Sequence, residues 1–166
     1  DCTADPACSV TSICGDGLPT MLGTFEDGSD KTDPTWPYPG LWTTFSDEDG
    51  VITPAPGDFF TEGPGVNGSD GALHVRGQVG AATEALGVRA ELAVPESGSA
   101  FVNLTGSTGL AFYAQVDSAV ELWVAVVTAA TQDTGAGGTC SGGCGDHFAV
   151  TVRLSGGWAC HWLPWS

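Results

Sequence analysis

The chain has 166 residues, with 20 Asp and Glu against 4 Lys and Arg and a formal net charge of −16. That balance argues against nucleic acid and anionic membrane surfaces, which are held by Lys and Arg that displace counterions or meet lipid phosphates. Charged residues make up 14%, apolar residues 42%, and there are 25 Gly and 10 Pro, a mixture that suits short strands joined by turns and gives an all-β class.

In chain order, residues 1–17 lack any hydrophobic period and hold three cysteines, which predicts a Cys-rich leader or linker ahead of a single module over 18–166. No signal peptide is visible, so any export signal is expected to have been removed already. Thr20–Phe25 reads as a first strand, and the Pro-punctuated segment 31–40 as a loop. Leu41–Ser46 is a short strand that leads through the acidic turn Asp47–Gly50 to Val51 and Ile52. Residues 53–71 are loop-rich, with Phe59 and Phe60 tucked under. Thirteen of the acids precede residue 71, where Lys31 is the only base. They read as solvated loops or, in part, as oxygen ligands for Ca²⁺.

From Ala72 onward the side chains alternate, as they do along a strand with one covered face. Over Ala72–Val79, Leu73 and Val75 oppose His74, Arg76 and Gln78. Over Leu86–Val94, Leu86, Val88, Ala90, Leu92 and Val94 point inward, with Arg89 and Glu91 outward. Gly109–Thr128 predicts two strands hinged near Asp117 and Ser118. Tyr113 and Gln115 lie on the mixed face of the first, and Glu121 and Trp123 on that of the second. The Gly-rich loop 133–146 precedes His147–Leu154, with Phe148, Val150, Val152 and Leu154 inward and Arg153 outward. Trp158–Leu163 is the last strand. The longest apolar run, 122–130, falls short of the roughly 20 residues that a membrane helix requires.

Six cysteines and few lysines point to an oxidising, extracellular compartment. Cys140 and Cys144 are spaced to close a tight loop. Two further bridges among Cys2, Cys8, Cys14 and Cys160 would tie down the N-terminal segment, with the pairing left open. The competing reading is zinc, since Cys140, Cys144 and His147 form a C-x3-C-x2-H cluster with Cys160 or His161 as a fourth ligand.

Arg76, Arg89, Glu91, Tyr113, Gln115, Trp123 and Arg153 all fall on outward strand faces. In one sheet they would make a field of rings and planar hydrogen-bonding groups, the kind of surface on which sugars are held. A solvated face with cross-strand Arg–Glu pairs is the plainer alternative. Catalytic signals are weak. Glu91 and Glu121 are the carboxylates to test for glycoside hydrolysis, no serine-hydrolase elbow surrounds Ser69, and no phosphate loop is present.

The succession Thr24–Gly28, Asn67–Ser69 with Ala72–Val75, Gly109–Tyr113, Cys140–Cys144 followed by Asp146–Phe148, and Trp158–Pro164 resembles the secreted galactose-binding-domain-like modules related to carbohydrate-binding family 11. The resemblance spans residues 20–166. It implies a jelly-roll β-sandwich and a non-catalytic, extracellular carbohydrate-binding role. It also implies a structural Ca²⁺ near the first strand, with Glu26 and Asp27 as ligand positions and Asp30 beside them. Modules of this kind continue with further strands after the segment matching Trp158–Pro164, so the last strand or strands are expected to be missing here. An open edge can accept a strand from another chain. A subunit of an extracellular filament or surface assembly is therefore the alternative, with residues 1–17 as a conceivable donor.

Overall fold

A computed structural model of the chain describes residues 22–34, 36, 38–47, 49–82, 85–92 and 101–165. The described part is all-β: ten strands and two single-turn 3-10 helices at Val66–Gly68 and Thr134–Ala136. It forms two compact units, one within residues 20–102 and the other within 103–166.

The first unit contains β1 (Leu41–Ser46), β2 (Val51–Thr53), β3 (Thr61–Glu62), β4 (Ala72–Leu73), β5 (Arg76–Gln78) and β6 (Leu86–Glu91). Their pairing is nested: β1 with β6, β2 with β5 and β3 with β4, all antiparallel. The unit is one long hairpin, turned at Val66–Gly68 and broken twice along its length. At the first break, between β1 and β2 on one arm and β5 and β6 on the other, two carboxylates bridge the arms. Asp47 accepts from the Ala85 amide with both oxygens at 2.9 and 3.1 Å, and Asp49 accepts from the Ala81 and Ala82 amides at 3.0 and 3.1 Å. These acids are therefore more than a solvated turn, because they satisfy amides that the interrupted ladder leaves over.

Packing in this unit is built from alternate positions. Thr44 is 3% exposed and its hydroxyl donates to the Pro54 carbonyl at 2.9 Å, which removes the cost of burying it unpaired. Ile52 is buried while its neighbours Val51 and Thr53 are exposed, as the two-residue period of a strand requires. Phe25 packs edge-on against Trp42 with ring centroids 5.2 Å apart. The expected first strand is not formed over its described part, Leu22–Phe25. Phe25 adopts φ 63°, a left-handed conformation that turns the chain, and its carbonyl accepts from the Gly28 amide.

The second unit contains β7 (Gly109–Ala114), β8 (Val120–Val126), β9 (Phe148–Leu154) and β10 (Ala159–Pro164). The pairing is nested again, β7 with β10 and β8 with β9. The two strands expected within Gly109–Thr128 are present, yet they do not pair with each other. At the break, residues 115–119 on one arm face 155–158 on the other, so one arm carries one extra residue, as at a β-bulge. Leu154, Cys160 and Leu163 are buried, and the Phe112 and His161 rings stack at 5.3 Å.

The tip of this hairpin, residues 127–147, holds the Cys140–Cys144 disulfide, with Cα atoms 5.6 Å apart. The bond takes both thiolates from the zinc cluster that the spacing suggests and overturns that reading. Asp133 caps the Thr134–Ala136 turn by accepting from the Gly135 amide at 2.7 Å. Gly138 lies so close to the other side of the loop that a Cβ there would fall 1.9 Å from the Gln132 carbonyl oxygen. The bridges expected from Cys2, Cys8 and Cys14 lie outside the described residues.

Candidate functional site

The β8–β9 ribbon of the second unit brings together three of the residues marked in the sequence, and Thr151 with them. Glu121 stands opposite Arg153, and Trp123 opposite Thr151. Residues opposite each other in a ladder share a face, so these four form one surface, with Leu122, Val124, Val150 and Val152 on the other. The covered face explains the local structure: four apolar side chains, three of them β-branched, pack inward and are only partly exposed. Trp123 is 59% exposed. Arg153 Nε donates to Glu121 Oε1 at 3.0 Å. With about 3.4 Å per residue in an antiparallel strand, this ion pair starts roughly 7 Å along the ribbon from Trp123. A flat indole therefore lies next to one fixed anion, one fixed cation and the Thr151 hydroxyl. The expected inward position of Phe148 is not realised, and Val120 is exposed as well, because they sit at opposite ends of the ribbon.

Tyr113 is half-buried on β7, opposite Cys160, and Gln115 is exposed just beyond the end of β7. Neither belongs to the ladder that carries Trp123. The other expected platform residues are in the first unit. Arg89 lies on β6 and pairs with Glu91 at 3.0 Å, while Arg76 lies on β5, opposite Thr53. Six of the seven side chains expected on one sheet are thus distributed over four ribbons, with Gln115 beyond the end of one of them, and the same distribution puts Glu91 and Glu121 in different units.

The first unit also has a cleft of about 170 Å³ lined by Thr53, Phe60, Glu62, His74 and Arg76. Glu62 contacts His74 Nδ1, and Arg76 Nε donates to His74 Nε2 at 3.4 Å. Phe60, expected to be tucked under, is 51% exposed, with its ring 6.1 Å from the His74 ring. Of these residues, only Arg76 was marked from the sequence. Glu62 and His74 meet because β3 pairs with β4 in the register Thr61 to Leu73, and alternation within either strand carries no trace of that.

Two of the three acids marked for a cation, Glu26 and Asp27, have their carboxylates engaged within the chain, and the third, Asp30, is tied through its backbone. Glu26 accepts from the Ser69 hydroxyl and, at 3.0 Å, from the Asp70 amide. Asp27 accepts from the Ser29 amide and hydroxyl, both at 2.9 Å, and those bonds hold its carboxyl below the usual range. The Asp30 carbonyl accepts from the Trp42 amide at 2.6 Å. Calcium takes roughly six to eight oxygens. Among the described residues no three His, Cys, Asp or Glu side chains gather as metal ligands.

No family model, curated protein or solved structure matches the chain.

Proposed function

We propose that this chain is a non-catalytic, extracellular carbohydrate-binding module of the jelly-roll kind, and that the Trp123 face receives the glycan. The carrying observation is the exposed Trp123 indole framed by the Glu121–Arg153 pair on the β8–β9 ribbon. An indole left in water forgoes the burial of one of the largest apolar side chains. A sugar offsets that loss by laying its C–H face on the ring, while its hydroxyls meet polar groups already fixed beside it. The jelly-roll part draws support from the nested pairing, because a jelly roll is a long hairpin rolled into two sheets. The Cys140–Cys144 disulfide is in keeping with an oxidising compartment. The test is a glycan array followed by titration calorimetry on the parent and the Trp123→Ala variant.

A subunit of an extracellular filament or surface assembly is the second reading. The observation favouring it is the paucity of buried apolar side chains among the described residues, beside exposed Val51, Val79, Val88, Val120, Val127 and Phe148. Such faces, and the outer edges of two-stranded ribbons, are what another chain covers by strand addition. Native mass and electron microscopy test it: high-mass species that dissociate when residues 1–17 are deleted support assembly, and a monomer at all concentrations removes it.

A further inference from the structure

The cleft of the first unit is built from residues of opposite hydrogen-bonding character held in a fixed order. Glu62, His74 and Arg76 form a chain through the imidazole. Arg76 Nε–H can only donate, so His74 Nε2 must accept, and the ring proton then resides on Nδ1, facing Glu62. The imidazole is thereby committed at both nitrogens and locks its two neighbours in place. One carboxylate oxygen of Glu62 and the terminal nitrogens of Arg76 remain without a protein partner among the described residues. In contrast, Arg89 and Arg153 each have a carboxylate partner, Glu91 and Glu121.

We propose that this cleft binds one uncharged sugar ring, with neighbouring hydroxyls bridging Glu62 and Arg76 and the C–H face resting on Phe60. The inference rests on the glycan-binding reading and adds a second site to it. A hydroxyl both donates and accepts, so a pair of adjacent hydroxyls satisfies the acceptor end at Glu62 and the donor end at Arg76 together. A carboxylate ligand would pair with Arg76 but press against Glu62, in a molecule already carrying a charge of −16. An ammonium ligand would meet Glu62 and be repelled by Arg76. Phe60 supplies the exposed apolar surface, and the Thr53 hydroxyl, on the residue opposite Arg76 in the ladder, adds a further donor and acceptor. At about 170 Å³ the cleft is smaller than the roughly 300–1,000 Å³ that encloses a drug-sized ligand, which limits it to a single ring.

The experiment titrates the full chain with methyl pyranosides of glucose, galactose and mannose and with glucuronate, read by saturation-transfer NMR and calorimetry. Arg76→Gln and Phe60→Ala are compared with Trp123→Ala, and circular dichroism verifies folding. Arg76 and Phe60 are both exposed, and Phe60→Leu serves as a second variant should Phe60→Ala fail to fold. At least one neutral pyranoside is expected to bind. Arg76→Gln and either Phe60 variant should each weaken it by about tenfold or more, while Trp123→Ala changes it less than about twofold. Failure of every neutral pyranoside to bind, indifference to both cleft substitutions, or stronger binding of glucuronate overturns the proposal. An extended glycan lost only on Trp123→Ala would then leave the Trp123 reading standing, and the reverse pattern would remove the Trp123 face while keeping the cleft.

Discussion

Arg153 faces Glu121 directly across the β8–β9 ladder, with Nε 3.0 Å from Oε1. Both side chains are mostly in water, at 85% and 60% exposure. An ion pair so exposed contributes at most about 1 kcal/mol to folding. Arg153→Gln and Glu121→Gln should therefore shift the melting temperature little, as read by circular dichroism. Both should weaken glycan binding several-fold by calorimetry, because each removes a charged group beside the Trp123 ring. Loss of stability without loss of binding would make the pair a structural one.

Asp47 and Asp49 carry a different expectation, because they hold the arms of a hairpin where its ladder is interrupted. Asp47→Ala leaves the Ala85 amide without its carboxylate acceptor, and Asp49→Ala does the same for Ala81 and Ala82. Each substitution should cost about 1 kcal/mol in urea unfolding, the usual net worth of such bonds near the surface. Hydrogen exchange should show faster exchange at residues 81, 82 and 85, with little change at β8 and β9.

The hairpin tip of the second unit is stabilised by closure and by close packing. Replacing Cys140 and Cys144 with Ser should cost about 2 kcal/mol, the chain-entropy value for so short a loop. Gly138→Ala should cost about 1–3 kcal/mol, since the added methyl meets the Gln132 carbonyl and overpacks the loop. Denaturant curves with and without reductant check both.

His161 sets the expected acid sensitivity. Burial lowers its pKa from the ordinary 6.5, and Nε2 has no hydrogen-bond partner among the described residues. Below pH 6.5 the unfolded chain takes up this proton while the folded chain resists it. The stabilisation present above that pH is therefore lost as pH falls through the lowered folded value. The melting temperature should decline from pH 6.5 downward before the bulk of the carboxylates titrate. His161→Phe should flatten that part of the profile and cost little at neutral pH, because it replaces an unsatisfied polar atom beside Phe112 with a ring of similar shape.

What the sequence disclosed follows from what alternation encodes. The faces of β8 and β9 were legible, with Glu121, Trp123 and Arg153 opposed to Leu122, Val124, Val150 and Val152, because a buried face imposes a two-residue period. Partners were not legible. The consecutive strands β7 and β8 pair with β10 and β9, and nothing in a strand's own alternation says which ladder it joins. Arg76, Arg89, Tyr113 and Trp123, expected on one sheet, fall on four different ladders for that reason. Phe60 was misjudged because Phe59 and Phe60 are adjacent, so a turn of the chain, rather than a period, decides which of them is covered. The Glu62–His74 contact depends on register across a hairpin, and the carboxylates of Asp47 and Asp49 depend on where that hairpin breaks. The Cys140–Cys144 bond was readable because its spacing alone allows closure.

The most direct measurement is calorimetric titration of the parent and of Trp123→Ala with the strongest binder from a glycan array. A glycan seated on the Trp123 face predicts measurable binding by the parent and at least about a tenfold loss in the folded variant. Equal binding by the two proteins, or no glycan bound by the parent at any accessible concentration, would contradict it.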